Sequence, residues 1–165
     1  MYYVELEIDG VFLPPSGTKG VVFFSEVQFQ LDKKLYERLW SESSRYFYQN
    51  CTRFSDWQAV VIYPSRSMEQ KNVHAHRSLL NGGQVHRVYL NELGDVETLP
   101  LGLAVMVLTT KTQRQMPRVA KALLARNCQE VTNPTESRAI MEMISTIVVY
   151  KFTHLSRKEV DGVPT

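Results

Sequence analysis

Residues 5–13 and 21–30 read as two strands: apolar and polar residues alternate over Glu5–Asp9 and Glu26–Gln30, and the second run opens on the apolar stretch VVFF. The segment PPSGTKG between them is rich in proline and glycine, so the two runs are predicted to form a hairpin. The period then changes, with Leu35, Leu39, Ser43 and Phe47 recurring at helical spacing over residues 35–49. WQAVVIYP, residues 57–64, is a continuous apolar run ended by a turn, as in a buried central strand. A weakly patterned helix closed by NGG is predicted over residues 68–80, and strands over residues 85–90 and 103–109. Helices follow over residues 117–128 and again from Asn133-Pro134-Thr135-Glu136, with asparagine as N-cap, proline at N1 and glutamate at N3. In that last helix Ile140, Met143, Ile144, Ile147 and Tyr150 keep helical spacing. The order of elements predicts an α/β fold, a sheet with helices packed on it, in one domain over residues 1–165. Its core is expected to end at about residue 110, with C-terminal helices over about residues 112–160.

Parity decides which residues share a face of the hairpin. In the first strand Leu6, Ile8 and Phe12 fall on one face and Glu5, Glu7 and Asp9 on the other. In the second, Phe23, Val27 and Phe29 share a face, and Glu26, Gln28 and Gln30 share the opposite one. Matching the apolar faces requires opposed residue numbers to sum to an odd value, and pairing about the turn then puts Asp9 directly opposite Glu26. Opposed Cβ atoms lie about 4.5–5.5 Å apart. Carboxylates that close repel each other unless a cation sits between them. A hard divalent ion such as Mg²⁺ takes oxygen ligands and keeps several waters. Such an ion can orient a phosphodiester and activate a water, so Asp9, Glu26 and Gln28 point to metal-dependent phosphodiester hydrolysis. The bland alternative is a polar, solvent-facing hairpin face, the reading preferred for Glu5 and Glu7.

Composition narrows the classes without choosing among them. The chain is 44% hydrophobic and 22% charged, ordinary for a globular protein, and its net charge of +2 is too small to mark a nucleic-acid binder by itself. Cys51 and Cys128 match no metal-ligand or redox spacing and read as reduced thiols of a cytoplasmic protein. The opening MYYVELEIDG has no basic leader character, and the longest apolar run, LGLAVMVL, is far too short to span a bilayer.

IDGVFLPP, FFSEVQFQ and DWQAVVIYPSRS, in that order, resemble a bacterial family of PD-(D/E)XK nuclease-like proteins grouped with the recombination-promoting nucleases and putative transposases. The likeness runs on through QVHRVYLNEL, LPLGLAVM and the closing IVVYKF. It implies a restriction-endonuclease-like core, a mixed sheet flanked by helices, and a Mg²⁺- or Mn²⁺-dependent cleavage of DNA serving recombination or transposition. It assigns Asp9 and Glu26 as metal ligands, adds the backbone carbonyl of Val27, and puts Gln28 where most of the superfamily has lysine. Glutamine can hold a water or a phosphate oxygen but carries no charge, which weakens transition-state stabilisation. The fold normally opens with a helix before the first strand. Here Met1 falls almost on the strand, and the chain stops soon after LSRKEVDGVPT, so the opening helix is read as missing. The rival reading is a non-catalytic remnant or a DNA-binding accessory, whose uncovered hairpin face would favour a homodimer.

Further candidates surround this site. Lys33 and Lys34, directly after the second strand, and Arg66, at the end of the central strand, are candidate phosphate contacts. Arg38 and Glu42 on the polar side of the helix are expected to orient the site, against the alternative of surface ion pairs with Arg45. Arg114, Arg118 and Lys121 make a stripe better read as a solvated helix face. His74 and His76, two apart, would point in different directions on a helix and make a poor chelate.

Overall fold

The computed structural model describes residues 8–160, with side chains described as far as residue 153. Four strands lie side by side in chain order: β1 (Gly10–Phe12), β2 (Val21–Val27), β3 (Asp56–Tyr63) and β4 (Val85–Tyr89). β1 runs antiparallel to β2, and β2, β3 and β4 are parallel. Parallel neighbours need crossovers. Helix α1 (Leu35–Gln49) lies in the first, and two 3₁₀ turns with the short helix α2 (Arg77–Asn81) lie in the second. Leu35 and Leu39 of α1 share one core cluster with Leu80 of α2 and with Val22, Phe24, Trp57, Ala59, Val61 and Tyr63 of the strands. Both crossovers therefore lie on one face, as two right-handed connections progressing in the same direction must. The mixed α/β sheet is the class that the sequence predicts.

The chain divides after Tyr89 into two compact units. The second is helical, with α3 (Leu101–Leu108), α4 (Met116–Glu130) and α5 (Pro134–Val160). The predicted cap of α5 forms: Asn133 Oδ1 accepts the N–H groups of Thr135 at 2.9 Å and Glu136 at 3.3 Å. Lys151 of α5 donates from Nζ to the Thr109 carbonyl at 3.0 Å, just past the end of α3, where a cation meets the negative end of the helix dipole.

Three expectations are corrected. The strand predicted over residues 103–109 is helix α3, with Leu101, Ala104, Val105, Val107 and Leu108 buried. An apolar segment covered on several sides has no polar residues to mark its period, so helix and strand look alike in sequence. The helix predicted over residues 68–80 is broken into 3₁₀ turns at Arg66–Met68 and His74–His76 before α2 begins. Between the turns Glu69 is extended and its side chain, with that of Gln70, bonds to α1. The third correction concerns faces. Glu26 lies with Val22 and Phe24 on the face buried under α1, whereas Phe23 is 39% exposed. The crossover helices, not the apolar count of each face, decide which side is the core. The predicted strand over residues 21–30 stops at Val27, and the part of the first strand over residues 5–7 lies outside the described residues.

Candidate functional site

The register of the hairpin is the predicted one. Gly10 faces Ser25, Val11 faces Phe24 and Phe12 faces Phe23, so one step further Asp9 faces Glu26. The two acids interlock through the backbone. Asp9 Oδ2 accepts the Val27 N–H at 2.8 Å, and the Asp9 N–H points to Glu26 Oε2 at 3.4 Å. Asp9 thus extends the ladder with its side chain just before β1 begins.

Glu26 is only 4% exposed, and a buried carboxylate needs a hydrogen-bonded counter-charge. Arg38, in the first turns of α1, supplies it: Nη2 lies 2.6 Å from Glu26 Oε1 and 3.5 Å from Asp32 Oδ2. Burial works to lower the Arg38 pKa, but the bonds and charges of Glu26 and Asp32 outweigh it and leave it raised. Asp32 Oδ1 also accepts the Lys34 N–H at 2.8 Å, fixing the approach to α1. Asp9, Glu26 and Arg38 are thus brought together, and Glu42 sits one turn further along α1, half-buried.

The other predicted residues are placed around this centre. Gln28 stands one residue past β2, its N–H still bonded to the Ile62 carbonyl at 2.8 Å and its side-chain amide bonded back to the Gln30 carbonyl. Lys33 and Lys34 are exposed just before α1. The Arg66 guanidinium stacks 4.2 Å over the Tyr89 ring. His74 is exposed and His76 is buried beside the Tyr36 ring, so the pair diverges as its spacing implies.

The pairing of strands also defines rows across the sheet. Glu26 pairs with Val61 and Val61 with Arg87, which puts a carboxylate and a guanidinium at the two ends of one row. Beside this row lies a network that the sequence does not announce. Glu69 accepts from Tyr36 Oη at 2.7 Å, Tyr89 Oη at 2.6 Å and Arg87 Nη1 at 3.3 Å. Tyr63 Oη donates to Tyr36 Oη at 3.1 Å, and Gln70 Oε1 accepts the Tyr36 N–H at 2.9 Å. Burial pushes Glu69 up, but the bonds from Tyr89, Tyr36 and Arg87 outweigh it and hold the carboxyl below its usual range. Burial and the bond to Glu69 push Tyr89 up to about 12. Tyrosines ending β3 and β4 are the visible signal, but their partner comes from a segment with no regular pattern.

Two adjacent carboxylates are a hard-oxygen donor set and fit a divalent ion that retains waters. Among the described residues no group of three or more histidine, cysteine, aspartate or glutamate side chains stands where it could hold a metal. Among the described residues no helix is long and apolar enough to cross a membrane, and Cys51 and Cys128 are free and exposed.

The chain belongs to the family described as protein of unknown function (DUF2887), whose model matches residues 3–163. No curated protein and no solved structure matches it.

Proposed function

We propose that this DUF2887 member is a metal-dependent phosphodiester hydrolase acting on DNA, of the PD-(D/E)XK type that its sequence resembles. One observation carries the reading: Asp9 and Glu26 are held side by side at the end of β2, with Val27 bonded to one of them and Arg38 to the other. Asp9 and Glu26, with the Val27 carbonyl, would hold Mg²⁺ or Mn²⁺, whose chemistry there is to orient the phosphodiester and make a bound water more acidic. Gln28 follows directly after that strand and positions that water or a phosphate oxygen through its amide. Lys33 and Lys34 contact phosphate on the approach to α1, and Arg66 does so from its stack on Tyr89. Cleavage in DNA recombination or transposition is the role that the resemblance supplies. An exposed pair of opposed aromatics, Phe12 and Phe23, supports a homodimer as part of this reading.

A second reading is favoured by Arg38. Its guanidinium already neutralises Glu26, and the Gln28 amide is already bonded to a neighbour, as expected of a fold that has kept its acids for stability after losing cleavage. Incubation of the protein with supercoiled DNA and Mg²⁺ or Mn²⁺ decides between them. The nuclease nicks the plasmid, stops in EDTA, and loses at least two orders of magnitude in rate as Glu26→Gln. Folded protein that leaves the plasmid intact with either ion is the remnant.

A further inference from the structure

Between β4 and the segment that carries the second 3₁₀ turn and α2 lies a cavity of about 440 Å³. Lys71, His74, Arg77 and Arg87 line it, with Val73 and Leu80 as apolar wall, and no carboxylate is among its lining residues. Two of its cations are held in place: Arg77 donates from Nη1 to the His74 carbonyl at 2.9 Å, and Arg87 Nη1 lies 3.3 Å from Glu69 Oε1. With Arg87 balanced by Glu69, the positive charge of this wall comes from Lys71 and Arg77, on a chain that carries only +2 overall. A planar guanidinium suits a phosphate better than a point charge does, because it can offer two parallel donors.

Position says which phosphate. Arg87 ends the row that begins at Glu26, with Val61 between them, so the cavity opens two strands away from the candidate metal ligands, roughly 10 Å along the sheet. A DNA backbone, with a phosphate about every 3.4 Å of axis on each strand, has enough phosphates over that span to meet both places. We propose that this cavity is a second anchor, binding a backbone phosphate of the DNA whose cleavage is assigned above to Asp9 and Glu26. The identity of the ligand rests on that reading; the charge of the cavity does not.

The test is the salt dependence of binding, measured on the full chain in EDTA by fluorescence anisotropy of a labelled duplex oligonucleotide. Each phosphate that the protein ceases to neutralise takes about 0.9 off the slope of log K against log salt. The double variant Lys71→Gln/Arg77→Gln should therefore lower the slope by about 0.9, and Lys71→Gln alone by only part of that. Lys71 and Arg77 are exposed, as are Lys19 and Arg45, whose double replacement by glutamine makes the same change in net charge and should keep the slope. A thermal melt establishes that each variant is folded. Equal reductions in the two double variants, or an unchanged slope in the first, overturn the anchor. So does wild-type protein that ignores the oligonucleotide; calorimetry with inorganic phosphate then shows whether the cavity takes the free ion instead. Because no cleavage occurs in EDTA, the result is independent of the nicking assay. Nicking with an unchanged slope removes the anchor and leaves the nuclease, and a reduced slope without nicking does the reverse.

Discussion

Arg38 and Glu26 hold opposite charges 2.6 Å apart with Glu26 almost wholly out of water, so each depends on the other. Removing one partner of such a pair strands the remaining charge. Arg38→Met should lower stability by about 3 kcal/mol, the lower end of the range for buried pairs because Arg38 is partly exposed. Glu26→Gln should cost less, and in the double variant the two effects should fall well short of adding, which a urea double-mutant cycle measures. Glu69 makes a pH-dependent contribution. Its carboxyl is held below the ordinary value of 4.5, so its stabilisation is complete above that pH and is lost as pH falls through the depressed folded value. Tyr89 titrates the other way. Raised from 10.0 to about 12, it contributes fully below pH 10 and loses its share as pH climbs from 10.0 towards about 12. Urea midpoints across pH should therefore show a flatter acid limb in Glu69→Gln and a flatter alkaline limb in Tyr89→Phe. The facing acids Asp9 and Glu26 are legible in the sequence because side-chain parity and a short turn fix a hairpin register almost completely. The Glu69 network is not, because it joins α1, β3, β4 and an irregular segment, and no local period marks contacts between such distant residues.

Among the elements, those with punctuation are legible in sequence and those without it are not. Asn133 and Pro134 announce α5, and the Asn133 side chain does accept two of its first N–H groups. Asn133→Ala should cost about 1 kcal/mol in a thermal or urea melt, and Asn133→Asp much less, since aspartate caps as well. Helix α3 carries no such mark. LGLAVMVL is apolar on every side, and only its buried setting and the lysine at its end show that it is a helix. The segment before α2 fails for another reason: Glu69 and Gln70 bond outward to Tyr36, so the backbone there stays extended between two short turns. Bonds between side chains so far apart in sequence override a weak helical pattern.

At the scale of the whole molecule, a charge of +2 leaves no general attraction for a polyanion. Any grip on DNA must come from local clusters such as Lys71, Arg77 and Arg87, and binding should weaken steeply as salt rises. The α/β class follows from the order of elements, but the division after Tyr89 does not, because no linker composition marks it. Asp9 closes the backbone ladder of β2 with its carboxylate, and Glu26 anchors α1 through Arg38. Selection for folding therefore acts on both acids, whether or not a phosphodiester is ever cut. A lineage that abandoned cleavage would go on displaying the Asp9–Glu26 pair, and drift would register first at Gln28, whose side chain, among the described residues, bonds only to the carbonyl of nearby Gln30.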